Sequence, residues 1–363
     1  MLGEKIVLAR LLLKAFNENQ LLILSSIKRN SKSTATSFLK ELSEASGIPL
    51  STLKLNVKIL KELDLVTYGS QHDPRPIKLT ETGRLLSNML ISYKNALEGR
   101  TRVREISKGT KINVLKQGIS SQSSHLPSSL SATDLIASIF EVFSPNLGDS
   151  ENSFVLSKGH AAPALYATLA EKKVIDGNEL LSLGVCGSKL QSHPEKRYIP
   201  EVLVSTGSLG QGLSIGVGIA LGKKIKKKKG KVIVLLGDGE LNEGQVWEAV
   251  MSGAHHRLDN LIAIVDRNLR QLNGSTEEIK RLEPLDEKWR SFGWEAIVVN
   301  GQDTEEVVST LEYIKHSQTK PVVVIALTQR NGGIRSLKKD LFHYVPTAEE
   351  YEKAVMDING VES

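Results

Sequence analysis

Four apolar, β-prone runs constrain this chain more than any other feature: KVIVLL (231–236), LIAIVD (261–266), WEAIVV (294–299) and PVVVIAL (321–327). A strand with one wet face alternates apolar and polar residues, so a run without alternation must be covered on both faces. Helical patterns separate the runs, including LSATDLIASIFEVF (130–143) and QVWEAVMSGAHH (245–256), and FVLS (154–157) is a shorter strand candidate that leads into a helix. Strands alternating with helices predict an α/β fold, a doubly wound and mostly parallel sheet. Its ligand should bind beyond the carboxyl ends of the strands.

The preceding residues are of a different kind, and 363 residues are ample for two domains. We expect one over residues 1–98 and a second over 99–363, with the basic, weakly patterned stretch 99–118 forming a helical link. The net charge is +6, and Met1–Arg100 alone holds 15 Lys+Arg against 9 Asp+Glu, so the whole excess is in the first segment. A polyanion is therefore a candidate partner for that segment. The pattern there predicts helices over Asn19–Arg29, Phe38–Ala45 and from a Ser51 or Thr52 cap to about Leu63. LVTYGSQHDPRPIKLTETG then supplies two short strands around a polar tip, before a helix from Arg84 to Leu97. This order resembles the winged helix-turn-helix family over about Asn17–Asn88. The resemblance implies that Ser51, Thr52, Lys54, Asn56 and Lys58 face DNA, with His72 and Arg75 on the wing. Protein binding or dimerisation by the same module is the alternative.

The single cysteine, Cys186, rules out a disulfide framework and suits a reducing, cytoplasmic setting. The apolar opening MLGEKIVLARLLLKAF is interrupted by Glu4, Lys5, Arg10 and Lys14, so an amphipathic helix is expected there rather than a membrane span. Lysine-rich IKKKKGK (225–231), just before a core strand, reads as a solvated turn ended by Gly230.

GDGELNEG (237–244) carries the strongest chemical signal, because it lies between the KVIVLL strand and the QVWEAVMSGAHH helix. Glycines let backbone approach phosphate oxygens, and a helix start offers unpaired N–H groups to an anion. Asp238 at the strand end is placed as a hard oxygen ligand for Mg²⁺ on a diphosphate. A second donor is expected from the neighbouring strand end, where Asn268 follows LIAIVD thirty residues after Asp238.

This pairing resembles the thiamine-diphosphate signature of transketolases. So do VLSKGHAAPALYATLA (155–170), STGSLGQGLSIGVGIAL (205–221), LDNLIAIVDRN (258–268), KWRSFGWEAIVVNG (288–301) and HYVPTAEEYEKA (343–354). The likeness is to the amino-terminal half of transketolase and runs in order over about Val103–Val355. It implies thiamine diphosphate and Mg²⁺ as cofactors, with Asp238, Asn268 and the carbonyl of Arg270 on the metal. It implies cofactor contacts from Gly207, Ser208, Leu209, Gly237, Asp238, Gly239, Glu240 and Asn268. His125, His160, His193 and His343 would line the substrate channel as proton-transfer groups, and Glu243 would join an interface proton network.

The family's pyrimidine-binding domain lies beyond this sequence. The resemblance therefore implies the cofactor subunit of a split transketolase. This cytoplasmic transferase would move a two-carbon ketol unit between sugar phosphates, active with a separate carboxyl-terminal partner as a heterotetramer, and without membrane association. Three departures bear on substrate choice: SHLPSS around His125, Ser192 before His193, and RNGGIRSLKKD after the last strand. A DNA-binding regulator whose transketolase-like domain senses a ligand is the rival reading; another thiamine-dependent carboligase, or a silent scaffold, is a third.

Overall fold

The computed structural model describes residues 15–27, 33–70, 73–121, 125–147, 150–338 and 344–360. The chain divides into two compact units, Met1–Leu97 and Glu98–Ser363. In the first, α1 (Glu18–Ser26), α2 (Ala35–Ser46) and α3 (Leu50–Glu62) precede β1 (Val66–Thr67) and β2 (Lys78–Leu79). Asn17 caps α1 through a reciprocal capping box with Gln20, and Gly47 ends α2 in the left-handed region that glycine tolerates. Ile23, Leu24, Leu39, Leu53, Val57, Leu60 and Ile77 form the core. The strands pair antiparallel, Val66 opposite Leu79 and Thr67 opposite Lys78.

Two expectations for this unit are corrected. Neither Ser51 nor Thr52 caps α3; Pro49 stands at its N-cap, and the amide of Thr52 already donates to the Pro49 carbonyl. The helix from Arg84 and the link beyond it are one helix, α4 (Glu81–Ser121), of 41 residues. That stretch contains no proline, so no missing donor or ring clash stops it. His72, His343 and the amphipathic opening through Lys14 lie outside the described residues.

The second unit holds α5 (Leu126–Phe143), β3 (Ser153–Leu156), α6 (Ala162–Glu171), α7 (Gln211–Ile225), β4 (Val232–Gly237), α8 (Gly244–His255) and β5 (Leu261–Arg267). The small hairpin β6 (Arg270–Gln271) and β7 (Gly274–Ser275) follows, then α9 (Leu285–Ser291), β8 (Glu295–Asn300), α10 (Thr304–Ser317), β9 (Val322–Leu327) and α11 (Ala348–Asn359). The main sheet is parallel throughout, in the order β3-β4-β5-β9-β8. Val232, Val234 and Leu236 of β4 pack on one face with Leu213 and Val217 of α7, Val246 and Val250 of α8, and Trp289. Ile233 and Leu235 point to the other face and are equally buried. Both faces of β3, β4 and β5 are covered, which is why those strands read as continuous apolar runs; the edge strand β8 departs from the expectation, with Val298 46 % exposed.

Candidate active site

The parallel register sets Gly237 beside Asp266, so the chain beyond β4 and the chain beyond β5 leave the sheet side by side. Asp238 and Asn268 are thereby brought to one cavity of about 510 Å³, together with Gly237, Gly239, Arg270 and Gln271. Asp238 is 2 % exposed. Its Oδ1 accepts from the Gly239 amide at 2.9 Å, and its Oδ2 accepts from the Leu269 amide at 2.6 Å and from Arg267 Nη1 at 3.2 Å. Burial, then repulsion from Asp266, pushes its carboxyl up to about 6, while Arg267 and the Leu269 amide pull the other way. Asn268 Oδ1 accepts from the Arg270 amide at 3.1 Å, and its Nδ2 donates to Ser131 Oγ at 3.4 Å. Between them Leu269 takes a left-handed backbone, φ 66°, a strain of the kind found at functional sites.

Glu240 is 1 % exposed and holds the cavity wall together. Oε1 accepts from the Gly210 amide at 2.9 Å and from Ser157 Oγ; Oε2 accepts from the Gly237 amide at 3.1 Å. One carboxylate thus ties together the ends of β3 and β4 and the start of α7. Gly210 has φ 86°, and a Cβ there would come within 2.7 Å of the Glu243 Cβ. Glycine is needed at that turn on both counts. Gly207 and Leu209 line the cavity, whereas Ser208 is exposed and is not among its lining residues.

His125, His160 and His193 converge on the same cavity from the start of α5, the turn after β3 and a loop before α7. The His125 ring centroid lies 5.7 Å from that of His160 and 6.0 Å from that of His193. Buried Tyr166 pins the last loop, donating to the carbonyls of Gln191 at 3.0 Å and His193 at 3.1 Å. Burial depresses the His160 imidazole well below its ordinary range, and Lys158 and the two neighbouring histidines add to this; burial alone lowers His193. Both are neutral near pH 7, able to donate and accept a proton. Glu243 stands exposed at the N-cap of α8 and also lines the cavity.

Six further residues line the cavity without having been expected there individually: Ser128, Lys158, Asn242 and Arg330, each inside a motif quoted above, and Leu272 and Asn273. Lys158 is 1 % exposed and ion-paired with buried Asp266, which also accepts from Ser131 and Thr328. Lys158 also donates to the Ser128 carbonyl at 3.1 Å. This network braces β3, β5 and α5 behind the site. Lys158 and Asp266 are 108 positions apart, so no local pattern could couple them. Arg330 sits within the departing RNGGIRS stretch, which therefore reaches the cavity itself.

The donor set suits a hard divalent cation bound to a diphosphate. One buried carboxylate, one amide oxygen and the backbone after it are oxygen donors beside glycine-lined walls. Among the described residues no group of three or more His, Cys, Asp or Glu could hold a metal ion; Mg²⁺ commonly needs only one or two carboxylates, with phosphate oxygens and water in the rest of its shell.

Residues 112–343 match the family profile "Transketolase, thiamine diphosphate binding domain". The chain belongs to the transketolase family. It is 42 % identical over 208 residues to a subunit of the apulose-4-phosphate transketolase of Phocaeicola vulgatus, spanning 57 % of this chain and 74 % of that one. It is 40 % identical over 238 residues to SqwG, a 6-deoxy-6-sulfo-D-fructose transketolase subunit of Clostridium sp., spanning 64 % and 86 %. Among solved structures, transketolase of Pichia stipitis with sedoheptulose 7-phosphate superposes with TM-score 0.59 at 25 % identity. That match covers 71 % of this chain and 44 % of the other, so this transketolase-family chain spans less than half of the solved relative.

Proposed function

We propose that residues 99–363 are the thiamine-diphosphate- and Mg²⁺-binding subunit of a two-component transketolase, a transferase of ketol units between sugar phosphates. The observation that carries this reading is the meeting of Asp238 and Asn268 at adjacent strand tips, in one cavity with three histidines. Asp238, Asn268 Oδ1 and the Arg270 carbonyl would hold Mg²⁺, and Gly207, Leu209 and Gly239 would let the cofactor approach backbone. When bound, thiamine diphosphate supplies the electron sink for breaking a ketose C2–C3 bond and carrying the two-carbon unit. The chain's own part is positioning and proton transfer: His125 and His193 hold or move protons at donor hydroxyls, and His160 stands beside His125. His343 would join them.

Two relatives are named as single subunits of transketolases, which supports a separate partner chain here, with two copies of each as the simplest assembly. Their names specify different sugars, apulose 4-phosphate and 6-deoxy-6-sulfofructose, so the sugar pair differs among close relatives. Arg330 and its neighbours are the residues we expect to set it in this chain. A cytoplasmic setting suits such an enzyme; among the described residues no helix is long and apolar enough to cross a membrane. The test is ketol transfer by the complex with its partner subunit. His193→Ala should slow turnover by about 10²–10⁴-fold, the usual span for a positioned acid–base group. Near-normal turnover would remove that role.

A second activity is proposed for the first unit. Three helices and a two-stranded antiparallel sheet are the parts of a winged helix-turn-helix, and α3 presents exposed Ser51, Lys54 and Lys58 and half-buried Thr52. Asn56 is withdrawn from the groove contacts. It is 5 % exposed, donates to the Thr52 carbonyl at 2.8 Å and accepts from Asn17 at 2.9 Å. Arg75 is exposed but paired with Asp73 at 2.6 Å. DNA retardation with steep salt dependence is expected, and replacing Lys54 or Lys58 with Ala should lower the salt slope by about one each. No retardation at low salt would leave the module as a protein-binding or tethering unit.

A further inference from the structure

A cavity of about 920 Å³ in the second unit lies apart from the candidate active site and shares no lining residue with it. One wall is α4, where Arg104, Lys108 and Lys111 recur at i, i+4 and i+7 and so occupy one helix face. Arg335 approaches from the loop after β9, and Thr304 at the start of α10 lies on the rim. Two acids face the space. Asp134 is taken up by Lys111 at 2.9 Å and by Ser107, and Asp357 accepts from the Ser336 amide at 2.5 Å. Arg104, Lys108 and Arg335 form no ion pair with any described acidic residue. Arg104, Lys108, Lys111 and Arg335 thus face Asp134 and Asp357 in one concavity, a lining that is net positive, in a unit that is otherwise evenly charged.

The wall also contains unfilled bonding capacity. Both amide atoms of Gln302 are buried without a hydrogen-bond partner, a cost that folded proteins seldom leave standing. The adjoining loop is rigid rather than loose. Buried Asn331 donates to the carbonyls of Ile334 at 2.9 Å and Leu337 at 3.0 Å, and accepts from the Gly333 amide at 3.1 Å. Arg335 is thus carried on a stapled turn, and two guanidinium groups facing a cavity suit the forked recognition of phosphate oxygens.

From this geometry we propose that the cavity is a binding site for a phosphate-bearing anion, held by Arg104, Lys108 and Arg335. The proposal does not depend on the thiamine reading, since none of these residues touches that cavity. The probe is inorganic pyrophosphate, titrated calorimetrically into the full chain in metal-free buffer of low ionic strength. Saturable binding is expected. Arg335→Gln should weaken it about tenfold or more, because charge-assisted contacts to phosphate are lost. The combined Arg104→Gln, Lys108→Gln, Arg335→Gln variant should abolish it. All three side chains are exposed, so the fold should tolerate their replacement.

Asp238→Ala, which alters the other cavity, should leave pyrophosphate binding unchanged. Displacement of pyrophosphate by ribose 5-phosphate would identify a sugar phosphate as the ligand. Displacement by inorganic phosphate alone would identify free phosphate or polyphosphate; either supports the site. Absence of binding, or binding that survives the triple variant and is lost with Asp238→Ala, would overturn it.

Discussion

Glu240→Gln is the substitution whose consequence follows most directly from the hydrogen bonds around the candidate active site. The native carboxylate receives three donors: the Gly210 amide and Ser157 Oγ on one oxygen, and the Gly237 amide on the other. Glutamine keeps the shape but has one acceptor oxygen and one NH₂ group. Its better orientation keeps the oxygen on Gly210 and Ser157, which turns the NH₂ toward the Gly237 N–H, donor against donor. A buried donor left unpaired costs about 1–3 kcal/mol. Burial raises the Glu240 carboxyl, so loss of the buried charge offsets part of that cost.

The expected result is a unit less stable by about 1–3 kcal/mol, with weaker cofactor uptake because the Gly210 and Gly237 backbones shift. All three tryptophans, Trp247, Trp289 and Trp294, lie in the second unit, so urea unfolding followed by their fluorescence reports on that unit alone. An unchanged urea midpoint with unchanged uptake would show that Glu240 does not hold these walls as described.

Two further outcomes are expected. Gly210→Ala combines a left-handed residue with a 2.7 Å approach to Glu243, and should cost about 1–3 kcal/mol in the same urea assay, with weaker cofactor uptake; wild-type behaviour would mean that the turn is adaptable. Lys231, mostly buried below β4, has its ammonium lowered by burial to about 8. The unfolded chain therefore binds more protons between about pH 8 and 10.5, and stability should rise with pH across that window relative to Lys231→Met, measured by thermal melts. A parallel pH response of the two proteins would remove the buried-lysine argument.

The α/β architecture was legible because its physics is local to each run: a strand covered on both faces has to be apolar at every position. Strand order was not legible, since β8 pairs with β9 at the sheet edge rather than with β5, and nothing within the apolar run marks its neighbour. Asp238 and Asn268 could be paired from spacing because each ends an apolar run, and parallel neighbours end together. The groups behind them had no such marker. Lys158, Asp266, Ser131 and Thr328 converge only once four segments are packed, and their types are ordinary for a strand end or a helix. Asn56 misled for a related reason. Its position on α3 fits a groove-facing residue, but Asn17 at the α1 cap draws it inward, a contact across 39 positions. The helix α4 was divided because its middle lacks apolar periodicity, although nothing in its sequence breaks a helix.

If Asp238 and Asn268 hold one divalent ion against the diphosphate of thiamine diphosphate, calorimetric titration of the cofactor into the complex with its partner subunit will reveal it. Uptake should require Mg²⁺, and should be lost in Asp238→Ala at urea concentrations where tryptophan fluorescence shows its second unit still folded, although the amides of Gly239 and Leu269 then lack their acceptor and lower its midpoint. Binding of equal strength with and without Mg²⁺, or binding that Asp238→Ala leaves intact, would contradict that role for the two residues.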